Sequence, residues 1–214
     1  MDLLCAGLLL ELISGLLGAM LSIRLFVRYL RIPNIATLWL SSFALMHGAN
    51  NFIWFYSDLP EIDNLSLASA GYATYGLIPL FAMLFAAELT SRKRLWYALA
   101  LAVASLFLVL NGIFPPQKIF IDGTGFWIPS GESFYPYIAS TAMSFVPSVL
   151  FLVFWRKTRE RKGFYLSVGF ALMALFESLF EANMLLPLYI TNFFETVGLM
   201  MIFTVYTRGK KHDG

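Results

Sequence analysis

The hydrophobic residues of this chain are gathered into seven long runs that are separated by short polar segments. The runs cover roughly residues 3–26, 35–57, 66–90, 94–114, 135–155, 163–186 and 188–207. As an α-helix, each run is long enough to cross the ~30 Å hydrocarbon core of a bilayer, because a helix rises about 1.5 Å per residue. The pattern therefore predicts an all-α polytopic membrane protein with seven transmembrane helices in a single membrane domain.

The longest connection, residues 115–134, predicts a different element. Its segments KIFID and FWIP flank Gly123-Thr124-Gly125, a pattern typical of a β-hairpin with a glycine-containing turn. We expect this external loop either to cover a pocket that opens outward or to pack on the rim of the helix bundle.

The composition supports a membrane protein. The 214 residues are 59% hydrophobic and 13% charged, with a mean hydropathy of +0.72. A water-soluble domain carries about twice that fraction of charged residues. Seven spans fill nearly the whole length, so we expect no separate soluble catalytic or signalling domain and no nucleic-acid partner. The single cysteine, Cys5, excludes an internal disulfide bond and a metal site built from several thiolates.

The positive charges predict how the helices are oriented. Fourteen of the fifteen Lys and Arg residues lie on four segments: 24–31, 92–94, 156–162 and 208–211. These segments follow the first, third, fifth and seventh runs. The other connections contain a single Lys or Arg residue, Lys118. Cytoplasmic loops are enriched in Lys and Arg. The sequence therefore predicts a multi-pass protein of the cell membrane with its N-terminus outside and its C-terminus in the cytoplasm.

One segment of the chain occurs twice. Phe43–Pro60 and Phe170–Pro187 both begin Phe-Ala-Leu-Met and end Leu-Pro, 127 positions apart. This match predicts that helices 1–3 and 5–7 form parallel repeats. The first repeat would cover about 3–94 and the second about 135–211, with a linking helix at about 95–114 and the external hairpin loop at 115–134.

Polar residues inside the predicted spans are the candidate functional residues. Charged side chains at these depths cost about 3 kcal/mol each on insertion scales, so they usually face the interior of a bundle. They occur on helices one, two, six and seven, and we expect them to line one outward-facing cavity as ligand-binding or relay residues: Glu11, His47, Asn50, Asn51, Trp54, Glu177, Glu181, Asn192 and Glu195.

The plan of three, one and three helices resembles the microbial rhodopsins and their retinal-free relatives, the seven-helix sensor modules of prokaryotes. Tyr72-Ala73-Thr74-Tyr75 and Pro79-Leu80 are similar to the third-helix pattern of that group. Thr74, however, stands where the pattern has its acidic counter-ion. No lysine occurs within 190–206, and Leu199 stands where the retinal-binding lysine would be expected. The resemblance therefore implies a retinal-free sensor, and we expect no cofactor.

Several functions fit the polar cluster. The first hypothesis is a receptor for a small polar or cationic ligand that signals to a cytoplasmic partner through its basic loops. The second is a proton or cation transporter or channel that uses the intramembrane glutamates. A third is a membrane-embedded metal-dependent hydrolase, with His47, Glu11, Glu177 and Glu181 as ligands, although one histidine is few for zinc. A structural subunit is the fourth. We assign no catalytic residue and no oligomeric state, and all four hypotheses remain open at this point.

Overall fold

The chain folds into seven α-helices and one β-hairpin. The computed structural model describes residues 3–57, 59, 63–88, 90–121, 124–128, 134–182 and 188–207; the side chains of 3–5, 119–121, 124–126, 128, 134–137, 140, 176–182 and 188 lie outside the description. The helices are α1 (Leu3–Arg31), α2 (Ile35–Ser57), α3 (Leu65–Ala87), α4 (Lys93–Ile113), α5 (Phe134–Thr158), α6 (Arg161–Ala182) and α7 (Leu188–Thr207). The predicted all-α fold with seven helices is confirmed for the part of the chain described.

Three of these helices are long and apolar enough to cross a membrane. Within the described ranges, they are Ala6–Arg31, Leu65–Ala87 and Lys93–Ile113. The first and third of these are mostly exposed on the surface of the bundle, whereas Leu65–Ala87 is largely buried inside it.

The predicted helix boundaries agree with the structure to within four residues, except at the end of α1, where they differ by five. The hydrophobic run ends near residue 26, but the helix continues to Arg31 because Leu25 is still buried against the core. Ile32 precedes Pro33, and a residue before proline disfavours the helical conformation. Asn34 then begins the next helix, with its side-chain oxygen accepting a hydrogen bond from the Ala36 backbone N–H at 2.9 Å.

Six helices form a closed ring in the order α1, α2, α3, α5, α6, α7. Consecutive members of the pairs α1–α2, α2–α3, α5–α6 and α6–α7 run antiparallel. By contrast, α3 and α5 run in the same direction, since Tyr75 contacts Thr141 and Phe85 contacts Phe151, both 66 residues further on. The ring closes where α7 meets α1, which by the same alternation also run in the same direction.

Helix α4 lies outside this ring and packs on α3 and α5. Its buried residues follow a single stripe at intervals of three and four: Ala100, Ala104, Phe107 and Asn111. This spacing places them on one helix face. The remaining faces expose large apolar side chains, such as Leu95 and Val109. The position of α4 corresponds to the linking helix in the predicted repeat.

The connection between α4 and α5 forms a two-stranded antiparallel hairpin, as predicted. Strand β1 is Gln117–Ile121 and strand β2 is Thr124–Ile128, with Ile121 paired to Thr124. Thr124 and Gly125 therefore belong to β2, which corrects the prediction that both lie in the turn. The hairpin packs on the side of α3, where the Tyr72 hydroxyl donates to the Trp127 carbonyl at 2.8 Å.

The two ends of the bundle differ in charge. We call the end that carries β1 and β2 the hairpin end. The opposite end, which we call the basic end, carries every described Lys and Arg residue except Lys118. Lys118 itself lies on β1 and pairs with Asp63 at 3.0 Å.

Aromatic side chains fill the centre of the ring towards the basic end. Phe170 of α6 is 3% exposed and packs on Phe43 of α2, with ring centroids 5.3 Å apart, and on Phe151 of α5 at 5.7 Å. Phe85 of α3 joins them through contacts with both Phe151 and Phe170. We call these four residues the phenylalanine core. They join four of the six ring helices through apolar contact.

Candidate functional site

The polar side chains of α1, α2 and α7 meet between the hairpin end and the phenylalanine core. The imidazole of His47 marks the boundary, because it stacks on the Phe43 ring with centroids 6.0 Å apart and an interplanar angle of 18°. His47 itself is 1% exposed. A polar side chain buried this deeply needs hydrogen-bond partners.

Three helices supply those partners at a single imidazole nitrogen. His47 Nε2 lies 3.1 Å from Glu195 Oε1 on α7, 3.2 Å from Ser14 Oγ on α1 and 3.2 Å from Asn51 Nδ2 on its own helix. The Asn51 amide also donates to the His47 carbonyl at 3.0 Å and lies 3.4 Å from Glu195 Oε1. This group therefore links α1, α2 and α7 through one proton-binding pair.

A second polar contact lies one helical turn nearer the hairpin end. The Asn192 amide donates to Glu11 Oε1 at 3.1 Å and to the Gly7 carbonyl at 3.2 Å. Glu11 precedes Ser14 by three residues, and Asn192 precedes Glu195 by three. Residues at this spacing share a helix face. The two contacts are therefore successive rungs between α7 and the neighbouring helices.

We call the six residues on the two rungs the polar cluster: Glu11, Ser14, His47, Asn51, Asn192 and Glu195. Glu11 is 3% exposed and Asn192 is 5% exposed. Glu195 is the most accessible of the six residues, with 13% of its side chain exposed. The cluster is thus sealed within the ring except near Glu195.

The sequence predicted that the four candidate residues of α2 line one cavity, but the structure divides them between two faces of the helix. His47 and Asn51 face α1 and α7. Asn50 instead accepts a hydrogen bond from the Thr74 hydroxyl of α3 at 3.0 Å. Trp54, one turn beyond, packs edge-on against Tyr72 of α3, with centroids 5.2 Å apart. Asn50 and Asn51 are about 100° apart around a helix, so adjacent residues meet different neighbours.

The side chains of Glu177 and Glu181 lie outside the described residues. Their backbone belongs to α6, which runs to Ala182. They come seven and eleven residues after Phe170, so these positions share its helix face. Their place in the cavity remains a prediction.

Two residues with side-chain hydroxyl groups, Ser14 and Thr74, contact the candidate residues of α2. The sequence did not assign either of them to the site. Ser14 begins a four-residue spacing with Gly18 and Ser22, a pattern typical of close helix packing. The structure shows both roles on one face, since Gly18 packs directly on Gly48 while Ser14 contacts His47. Thr74 stood out only as the replacement for a rhodopsin counter-ion. The signal in both cases was a small polar residue in an apolar span, which occurs too often to identify a site.

The charges of the polar cluster favour cations. Glu11 and Glu195 are its two carboxylates, and both accept hydrogen bonds from asparagine amides, Glu11 from Asn192 and Glu195 from Asn51. His47 Nε2 and Glu195 Oε1 lie 3.1 Å apart, so a proton on either atom would form a hydrogen bond between them. No three His, Cys, Asp or Glu residues of the described chain lie close enough together to hold a metal ion. The cluster can therefore bind a proton or an organic cation through carboxylate and amide oxygens.

Comparisons of the chain with protein-family models, with curated proteins and with solved structures found no match. The retinal-free rhodopsin relationship therefore stays a prediction from sequence.

Proposed function

We propose that the protein is a multi-pass sensor of the cell membrane that binds a small polar or cationic ligand at the polar cluster. In this proposal all seven helices span the bilayer, with the hairpin end outside and the basic end in the cytoplasm. Helix lengths of 20 to 29 residues match the bilayer core. The concentration of Lys and Arg at one end agrees with a cytoplasmic location for that end.

The outer surface of the bundle supports the membrane placement. Large apolar side chains are exposed along α1 and α4, including Met20 at 57%, Ile23 at 66% and Leu106 at 53%. Monomeric soluble proteins rarely expose contiguous apolar patches of this extent. A surrounding bilayer would cover them.

The observation that carries the sensor proposal is the one-sided position of the polar cluster. It links α1, α2 and α7 in the hairpin-end half, whereas the phenylalanine core fills the other half. A ligand that enters from outside would reach the cluster near Glu195 and would stop at Phe43. Its binding would shift α7 against α1 and α2. All three helices extend to the basic end, where a cytoplasmic partner could respond to the shift.

Proton or cation transport is the second candidate, and the His47–Glu195 contact favours it. A histidine and a glutamate within hydrogen-bond distance, 3.1 Å, can pass a proton between them as one element of a relay. A transport path would also have to pass the phenylalanine core, where Phe43, Phe85, Phe151 and Phe170 offer no polar group. We therefore rank transport below sensing.

The experiment that tests the proposal is a ligand screen by thermal unfolding of the protein in detergent. The panel contains divalent metal ions, choline, spermidine and a series of pH values. Glu195→Gln removes one of the two carboxylates of the cluster and retains a side-chain oxygen that can accept from His47. Glu160→Gln is the matched control, because Glu160 is exposed at the opposite end of the bundle.

We expect one organic cation to raise the melting temperature of the parent and of Glu160→Gln, and not of Glu195→Gln. A ligand at 100 times its dissociation constant stabilises a protein by about 2.7 kcal/mol. Glu177→Gln tests whether the predicted α6 carboxylate also contributes. An equal shift in Glu195→Gln, or no shift with any compound, would refute ligand binding at this cluster. Flux of protons into liposomes that Glu195→Gln abolishes would instead establish transport.

A further inference from the structure

A groove between α6 and α7 lies apart from the polar cluster, at the basic end. Its volume is about 470 Å³. One side is formed by the start of α6 and the other by the C-terminal half of α7. The lining residues are Arg161, Lys162, Tyr165, Val197, Met200, Met201, Thr204 and Val205.

The crossing of the two helices explains where the groove begins. Gly169 and Gly198 bring the backbones of α6 and α7 into contact, because a Cβ added to Gly198 would lie 2.6 Å from the Gly169 carbonyl oxygen. Tyr165 is one turn from Gly169, and Val197 is next to Gly198. The groove therefore extends from this crossing towards the basic end, over about 12 Å of α7 at 1.5 Å per residue.

The two ends of the groove differ in chemistry. The deep end is apolar and open on its outer side, where Met200 is 51% exposed and Tyr165 is 48% exposed. The end at the surface carries Arg161 and Lys162, both exposed. Neither cation forms an ion pair with any residue that the structure describes. The groove is therefore apolar along α7 and carries two cations at the surface that pair with no described residue.

We propose that this groove binds one anionic phospholipid, with its phosphate on Arg161 and Lys162 and an acyl chain along Met200 and Val197. Charge complementarity favours this occupant over an uncharged lipid or a second copy of the chain. Guanidinium groups bind phosphate oxygens in a bidentate manner, and basic pockets between membrane helices on the cytoplasmic side bind anionic head groups. The segment 156–162 carries five cations and one carboxylate, Glu160, so its net charge also attracts such lipids.

Native mass spectrometry of the full-length protein tests the proposal. The protein is purified in detergent and titrated with phosphatidylglycerol or with phosphatidylcholine of the same acyl chains. The test variant is Arg161→Gln/Lys162→Gln. Its matched control is Arg156→Gln/Lys157→Gln, which removes the same charge from exposed residues at the end of α5 that do not line the groove.

We expect one phosphatidylglycerol molecule to bind the parent and the control more tightly than phosphatidylcholine. Each Lys or Arg near an anionic lipid contributes about five-fold in affinity, so the test variant should bind phosphatidylglycerol about 30-fold more weakly. Met200→Trp, which fills the apolar end and leaves both cations in place, should also weaken binding of the lipid.

Three results would overturn the proposal. The first is equal binding of the two lipids by the parent. The second is the same loss of phosphatidylglycerol in the test variant and in its control. The third is a lipid-free dimer that Met200→Trp dissociates, which would assign the groove to a second copy. The proposal rests on the membrane placement, so membranes that contain the protein are also extracted with alkaline carbonate. Retention of the protein there, together with a failed lipid titration, would refute the lipid site alone.

Discussion

The contact between α1 and α2 at Gly18 can be tested with a single methyl group. A Cβ added to Gly18 would lie 2.8 Å from both Cα and N of Gly48 and 2.9 Å from the Ala44 carbonyl oxygen. Carbon atoms pack best at about 3.5–4.0 Å. All three neighbours are backbone atoms, so the helices themselves must separate by roughly 0.7 Å or more to admit the Gly18→Ala side chain.

That separation would affect polar contacts on both sides of Gly18. Ser14 lies one turn before it and contacts His47 at 3.2 Å, and Ser22 lies one turn after it and contacts Ser41 at 3.3 Å. Both distances are near the upper limit for a hydrogen bond. Overpacking of a tight contact costs about 1–3 kcal/mol. We therefore expect Gly18→Ala to destabilise the protein by about this amount and to weaken the polar cluster.

Two further glycines provide matched comparisons. A Cβ on Gly15 would lie 3.1 Å from the Phe52 ring, and a side chain can move away at small cost. A Cβ on Gly112 meets no atom within 4 Å. Replacement of a helical glycine by alanine at such an open position stabilises by about 0.4–1 kcal/mol. The expected order of stability is thus Gly112→Ala, then Gly15→Ala, then Gly18→Ala.

Thermal unfolding in detergent, followed by circular dichroism, measures this order. For globular chains of this length, 1 kcal/mol corresponds to about 2–4 °C in melting temperature. Gly18→Ala should therefore melt at least about 2 °C below the parent, and Gly112→Ala at or above it. If Gly18→Ala were as stable as Gly112→Ala, the close contact of α1 and α2 at this position would be wrong.

Two other predictions concern the rungs and the hairpin. Asn192→Ala leaves Glu11 and the Gly7 carbonyl without their shared donor, and we expect a loss of about 1 kcal/mol in the same assay; unchanged stability would contradict the rung. Tyr72→Phe removes the donor to the Trp127 carbonyl, and we expect faster hydrogen exchange in strand β2 with little change in overall stability. Equal exchange in parent and variant would show that this bond does not hold the hairpin on α3.

The sequence predicted the helices well because hydropathy and length are local properties. Each of the seven hydrophobic runs corresponds to one helix, and α2 and α7 have the predicted bounds. The end of α1 was missed because basic residues begin at Arg24 and recur at Arg28, although Leu25 continues the buried face of Leu21 beyond Arg24. Whether a polar residue ends a helix depends on the neighbours of the following turn, and the hydrophobic pattern does not contain that information.

Five of the six residues of the polar cluster were candidates from the sequence, all except Ser14, but their contacts were not predicted. Burial of Glu11, His47, Asn192 and Glu195 follows from the cost of placing polar groups in an apolar environment. Their pairing depends on the order of helices around the ring, which periodicity does not determine. The same order explains why Asn50 contacts α3 although it lies beside Asn51 in the chain.

Two helix pairs that the predicted repeat would make equivalent are each joined by a serine contact, and the repeat itself stays a prediction. The Ser41 hydroxyl donates to the Ser22 carbonyl at 3.0 Å and joins α2 to α1, and the Ser148 hydroxyl donates to the Ser167 carbonyl at 2.9 Å and joins α5 to α6. Both pairs are 19 residues apart in the chain, and 126 residues separate one pair from the other. The chemistry of the two pairs nevertheless differs, because the position 127 residues after His47 is the buried Ala174.

This asymmetry indicates where the bundle can change shape. The ring contains two contacts between helices of the same direction, α3 with α5 and α7 with α1. The first is covered on the outside by α4, which packs on both partners. The second has no such cover among the described helices, and Asn192 makes polar contacts across it to Glu11 and to the Gly7 carbonyl. A proton or cation changes the strength of polar contacts directly, whereas the apolar α3–α5 contact near Phe85 and Phe151 is insensitive to charge. We therefore expect ligand binding to move α7 relative to α1 while α3, α4 and α5 remain together as a rigid unit.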